Sequence, residues 1–222
     1  LEVSGAGKFF IDWSYAALAW FRGGPAKVAI LASSLMGTVS GSAVANTVAT
    51  GTFTIPVMKR SGLHSNFAGA VEAAASSGGQ IVPPVMGAAA FIMVEILGRP
   101  YSEVMVAAAL PALLYYVALF FMVDFEVARQ GIKGLPRNEL PSAWKIFCTG
   151  WHLATPLIIL ILLLVVAQYT PFKAAFYAVL AVVAVSWISS STRMGPAKLW
   201  DALKRGGNGM LEVAAACACA GI

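Results

Sequence analysis

Five long stretches of this chain carry no charged side chain: Val28 to Met58, Ala73 to Val94, Val104 to Val123, Ile146 to Thr170 and Ala174 to Thr192. A helix needs roughly 20 apolar residues to cross a bilayer, and each stretch is about that length or longer. A chain that keeps its charges out of bilayer-length segments is predicted to fold as an all-α, polytopic integral membrane protein. Composition agrees: 59% of the 222 residues are hydrophobic and 11% charged, against about 45–50% and about 25% in soluble domains. The formal charge of +5 sits between the uncharged stretches, the pattern of membrane flanks and not of a nucleic-acid groove. No nucleic-acid partner is expected.

Enzyme chemistry finds no foothold. Cys148, Cys217 and Cys219 lack Cys-x-x-Cys spacing, and His64 and His152 lie far apart, so neither a disulfide framework nor a zinc site is predicted. No nucleophile with a base and no paired carboxylates are visible. Leu1 is not an initiator Met, and the last residues, Ala214 to Ile222, are apolar. Both ends therefore read as cut.

Along the chain, Phe9, Phe10, Trp13, Ala16, Ala17, Trp20 and Phe21 recur at helical spacing opposite Lys8, Asp12 and Tyr15. This predicts an amphipathic helix from Lys8 to Arg22, lying flat at the membrane interface, with an ordinary packed surface helix as the alternative. Between Pro25 and Pro56 the chain is too long for one simple span, and its middle, Gly37-Thr38-Val39-Ser40-Gly41-Ser42-Ala43-Val44-Ala45-Asn46, is small and polar. Two half-helices meeting there form a re-entrant hairpin opening on the side of Lys27, Lys59 and Arg60; one long tilted helix is the alternative. The next segment, about Phe67 to Leu97, is interrupted by Ser76-Ser77-Gly78-Gly79-Gln80-Ile81-Val82-Pro83-Pro84. Unwound backbone at membrane depth needs protein or a water-filled cavity around it, so the break points to a binding site, against a purely structural kink.

Val104 to Val123 reads as a plain span, followed by Asp124 and Glu126, both read as solvated, and by Arg129, Lys133, Arg137 and Lys145, which mark a cytoplasmic loop. Trp151 to Tyr169 and Phe172 to Ile188 form a pair of spans turning at Thr170-Pro171-Phe172, Pro196 to Arg205 is a second short amphipathic helix, and another span begins near Leu211.

Two helix breaks without a full charge offer carbonyl oxygens, amides and hydroxyls, a set suited to a small hard cation and an anionic group. Oxygens of Ser40, Ser42, Asn46, Gly78 and Gln80 can replace the hydration shell of sodium, while half-helix N-termini face a carboxylate. Glu72 and Glu95 fall near the ends of the broken segment and are read as structural interfacial residues, leaving no buried acid for a proton relay. His152, at the start of a span, is read as interfacial. Cys217 and Cys219 are read as helix-packing residues.

Gly41-Ser42-Ala43-Val44-Ala45-Asn46, continued through Thr50-Gly51-Thr52-Phe53-Thr54-Ile55-Pro56, and Glu72-Ala73-Ala74-Ala75-Ser76-Ser77-Gly78-Gly79-Gln80-Ile81-Val82-Pro83-Pro84-Val85-Met86-Gly87 closely resemble the large permease of tripartite ATP-independent periplasmic (TRAP) transporters. The form matched best is the fused permease, and the match is densest from Leu1 to Gly131. The resemblance implies an inverted-repeat, elevator-type secondary transporter of the bacterial inner membrane. It implies sodium as the coupling ion with no other cofactor, an organic acid as substrate, and a periplasmic solute-binding protein as partner. Carried over by position, the substrate-binding candidates are Ser42, Asn46, Thr50, Gln80 and Pro83. The sodium candidates are Ser40, Gly41, Ser42, Asn46, Ser77, Gly78 and Gly79.

On this reading residues 1–24 hold the end of a span and an interfacial arm helix, 25–60 the re-entrant hairpin, and 61–131 the broken crossing helix and following span. Residues 132–150 are a cytoplasmic loop, 151–192 two scaffold spans, and 193–222 a second arm helix and the start of a span of the second repeat. The family's second hairpin, and with it about half the substrate site, is absent from these residues. An ion channel and a non-transporting scaffold subunit are the alternative functions.

Overall fold

The computed structural model describes residues 5–137, 140–187 and 193–220, the side chains at 209, 212, 213, 216, 217 and 220 excepted. The expectations at Leu1, from Ile188 to Thr192, at the Cys217 side chain and at the last two residues lie outside that description. Every regular element among the described residues is helical. The chain divides into two compact units, one of Gly7–Gly87 with Val106–Thr149, the other of Leu1–Ala6, Ala88–Met105 and Gly150–Ile222.

The first unit is built around a helical hairpin. Helix α1 (Ala6–Leu18) buries Phe9, Phe10 and Ala16. It ends before Trp20 and Phe21, which are exposed, so the expected extent to Arg22 is too long. Gly23 and Gly24 follow after Arg22, and glycine favours helix ends over helix interiors. Helix α2 (Gly24–Ser40) starts with Pro25 in its first turn and stops where Gly41 turns left-handed at φ 62°, a conformation that costs a residue with a Cβ. Helix α3 (Ala43–Arg60) restarts at once, because the Ser42 side chain caps it by accepting from the Ala45 amide at 3.3 Å. Its last turn carries Lys59 and Arg60, a favourable match to the helix dipole.

Helix α4 (Ser65–Gly78) ends at Gly78-Gly79, ahead of Pro83 and Pro84, which are joined by a cis peptide bond. Helix α6 (Tyr101–Arg129) belongs to this unit from Val106 onward. Helices α2, α3, α4 and α6 share one core, in which Ala26, Ala29, Ala68 and Ala75 let the backbones approach while Ile30, Met58, Val71, Val123 and Val127 fill the space. The stretch expected to be a loop before residue 150 contains helix α7 (Ala143–Gly150), whose Phe147 lies 6.4 Å from Trp13 of α1, ring to ring.

The second unit holds α5 (Ala88–Leu97), the first turns of α6, and α8 (Thr155–Val165) paired with α9 (Pro171–Ser186). Phe91 stacks on Tyr101 at 5.3 Å. The expected span from Trp151 opens as a 3-10 turn, Trp151–Leu153, so the α-helix proper starts only at Thr155. His152 in that turn is buried, and its Nε2 has no hydrogen-bond partner. Helix α10 (Pro196–Ala220) runs without interruption, where the sequence suggested a short helix and a separate span. Gly206, Gly207 and Gly209 only weaken a helix, by about 1 kcal/mol each, and do not stop it.

Among the described residues α6 alone is long and apolar enough to cross a membrane by itself; α5 and α9 are shorter apolar helices.

Candidate functional site

Helix α3 carries Asn46, Thr50 and Thr54 at intervals of four, one buried polar stripe along the helix. Helix α4 carries Glu72 and Ser76 at the same interval, and α2 supplies Ser33. All six are buried. The turn at Gly41-Ser42 folds α3 back on α2, so Ser33 and Thr50, equally far from the turn, meet at 3.1 Å between hydroxyls. Glu72 closes the cluster from the third helix. Its Oε1 accepts from Ser33 and Ser76, each at 3.1 Å, and from Thr50, while Oε2 accepts from Thr54. The expectation that no buried acid is available is overturned. Glu72 is completely buried, and three helices each bring a hydroxyl to its carboxylate.

Asn46 links this cluster to the helix break. Its Nδ2 donates to the Ser33 carbonyl at 2.8 Å, which leaves Oδ1 buried and without a hydrogen-bond partner. The Ser40 hydroxyl, at the end of α2, is in the same state. Close backbone approach makes the junction. A Cβ on Gly37 would lie 2.5 Å from the Gly79 Cα, and one on Gly79 would lie 3.0 Å from Asn46 Nδ2. A Cβ on Gly41 would run into the Met86 carbonyl oxygen, so the hairpin tip rests directly on the connector that follows the break.

The break itself is less bare than its sequence suggests. The carbonyls of Ser76, Ser77 and Gly78 accept from the amides of Gly79, Gln80 and Ile81 at 3.1 to 3.2 Å, and those of Ala74 and Ala75 accept from the Tyr115 and Tyr116 hydroxyls at 2.8 Å. The helix unwinds through successive tight turns, and each turn carbonyl keeps one lone pair for another donor or a cation.

The candidate residues therefore separate. Asn46 and Gly79 meet where tip and break come together, Gly41 rests on Met86 of the connector, Gly78 faces Tyr115 and Tyr116, and the Ser40 hydroxyl is buried at the end of α2. Ser42 serves as the cap of α3. The Thr50 hydroxyl is engaged by Glu72. Ser77 is exposed and turns its hydroxyl back to the Ala73 carbonyl at 2.8 Å. Gln80 is exposed, its carbonyl accepting from the Gly87 amide at 2.7 Å, and Pro83 is half-buried in the connector. Sequence reasoning missed Ser33, Gly37, Thr54 and Glu72. The signal that could have found Thr54 and Glu72 is the four-residue recurrence of polar side chains on α3 and α4; Ser33 and Gly37, on α2, carry no such signal.

At the far end of α2, Lys27 is buried, with its Nζ 2.5 Å from Asp124 Oδ1 and 4.9 Å from the centre of the Phe120 ring. Arg22 reaches Asp124 Oδ2, also at 2.5 Å. Asp124 is thus not simply solvated. It is the counter-charge that lets Lys27 be buried.

Compared with known proteins, the chain matches over residues 1–222 the family model described as tripartite ATP-independent periplasmic transporter, DctM component. It is similar to the 2,3-diketo-L-gulonate TRAP transporter large permease protein YiaN of Escherichia coli (strain K12), with 27% identity over 72% of this chain and 37% of that protein. It is 31% identical to the C4-dicarboxylate TRAP transporter large permease protein DctM of Vibrio cholerae, over 65% of this chain and 31% of that one. It is 28% identical to the sialic acid TRAP transporter permease protein SiaT of Haemophilus influenzae, over 72% of this chain and 26% of that one. The matched part is thus 26% to 37% of the length of these relatives.

Proposed function

The chain belongs to the DctM-component family of tripartite ATP-independent periplasmic transporters, and from that premise we propose that it is part of a permease that takes up organic acids across the bacterial inner membrane. Sodium is the coupling ion, and a periplasmic solute-binding protein delivers the solute. The names of the relatives, a gulonate, a C4-dicarboxylate and a sialic acid permease, share an acid as the transported group. The membrane reading is supported by α6, whose Val106, Leu110, Leu113, Val117 and Phe121 are exposed at helical spacing. The seventeen residues of α2 rise about 26 Å, short of a core roughly 30 Å thick, which suits a helix that enters the membrane and returns through α3. In an elevator-type permease α2, α3 and α4 would move as one body, and their shared core and Glu72 cluster support that role.

The observation that carries the sodium reading is the Asn46 amide oxygen, buried and unpartnered at the hairpin tip beside Gly79. A buried acceptor left unsatisfied costs roughly 1–3 kcal/mol, and a sodium ion is a ligand that neutral oxygens suit. Ser40, whose hydroxyl is also buried and unpartnered, and the carbonyls of Gly78 and Gly79 are the further candidate ligands. The neutral half-helix start at Ser42 offers amides to a carboxylate.

The test is uptake by proteoliposomes of the full-length permease, with its solute-binding protein and radiolabelled C4-dicarboxylate or sialic acid offered in turn. The expected result is accumulation of one acid only under an inward sodium gradient. Equal uptake under a choline gradient would remove sodium coupling, and no uptake of either acid would remove those two substrates.

A further inference from the structure

Glu72 takes no direct part in the sodium site described above, yet it is the most completely enclosed ionisable group of its unit. Its surroundings are unusual for a buried acid. The described ion pairs all lie elsewhere, and its four hydrogen-bonding neighbours are the hydroxyls of Ser33, Thr50, Thr54 and Ser76. A carboxylate is a pure acceptor, and four inward O–H donors are a shell that suits one. Hydroxyl donors offset the cost of taking the charge out of water. They do not cancel the charge, which in a low-dielectric interior acts on the next polar groups.

Those groups are the ones that present Asn46. Ser33 donates its hydroxyl to Glu72 and accepts the Asn46 amide nitrogen on its carbonyl. Thr50 reaches Glu72 and, one helical turn back, the main-chain carbonyl of Asn46, the latter at 2.8 Å. The Asn46 side chain is thereby committed through its nitrogen, and its oxygen is the atom left over. We propose that Glu72 is a positioning residue for a cation at Asn46. It clamps Ser33 and Thr50 so that Asn46 presents its oxygen, and it supplies the negative charge that a site of neutral oxygens otherwise lacks. This rests on the sodium reading above and adds to it the residue that sets cation affinity.

The experiment uses the purified full-length permease that contains these residues, with radioactive sodium as the only probe and choline as the background cation. Glu72→Gln keeps the shape and removes the charge; Glu72→Asp keeps the charge; Glu95→Gln, on exposed α5, is the control. Glu72→Gln is expected to raise the sodium dissociation constant about tenfold or more, with Glu72→Asp closer to wild type and Glu95→Gln unchanged. The melting temperature of each variant in choline separates affinity from stability. Unaltered sodium binding in Glu72→Gln, with or without a lowered melting temperature, makes Glu72 a structural residue only and overturns the proposal. If Glu72→Gln fails to accumulate, Ser33→Ala decides: it breaks one link of the clamp, and an unchanged dissociation constant is equally fatal. Failure of the sodium reading itself is distinguishable, because wild-type protein would then bind no sodium at all.

Discussion

At the scale of single residues, the junction of hairpin tip and helix break depends on atoms that are absent. Gly79 packs against Gly37 and Asn46 so closely that any Cβ must displace backbone. Gly79→Val is therefore expected to weaken sodium binding about tenfold or more, consistent with roughly 1–3 kcal/mol of lost site stability. Ser42→Ala acts differently. It removes the cap of α3, which is worth about 1 kcal/mol, and is expected to lower the melting temperature more than the sodium affinity. Titrating radioactive sodium against both purified variants, with melting temperatures in choline, checks the pair. Equal and normal sodium affinity in both would reduce the break to a structural kink.

At the scale of elements, α2 is pinned at both ends. Its C-terminal end is held by the tip contacts, and its N-terminal end by Lys27, which meets Asp124 of α6. Removing one partner of a buried pair leaves a charge without compensation, so Asp124→Asn is expected to destabilise the permease by about 2–4 kcal/mol. Asp124 is partly open, with its side chain 19% exposed, which holds the figure below that of a fully enclosed pair. The double variant Lys27→Met with Asp124→Leu removes both charges and should recover most of the loss. Thermal unfolding in detergent measures both; a double variant no better than Asp124→Asn would show that the contact does not act through charge.

At the scale of the molecule, the basic residues Arg129, Lys133, Arg137 and Lys145 between Asp124 and Trp151 contrast with the single Arg99 between Gly98 and Ser102. On the positive-inside bias the first stretch is expected in the cytoplasm and the second in the periplasm. With native cysteines replaced in the full-length protein, Ser102→Cys should react with a membrane-impermeant thiol reagent on intact spheroplasts, and Arg137→Cys should not. The opposite labelling would invert the topology, and with it the side on which the hairpin opens.

The positions of the helix breaks were legible in the sequence because glycine and proline act locally. Gly41 stops α2 through its own φ, Ser42 caps α3 with its own side chain, and α4 ends at Gly78-Gly79 ahead of two prolines. The polar partners were not legible. Glu72 reads as a lone acid near a segment end, and only the packing of α2, α3 and α4 brings Ser33, Thr50, Thr54 and Ser76 around it. Lys27 and Asp124, 97 positions apart in the chain, read as two flanking charges until α2 and α6 are laid side by side. Backbone conformation is decided by neighbours in sequence, but burial of a charge is decided by neighbours in space, and that is what the tertiary structure supplied.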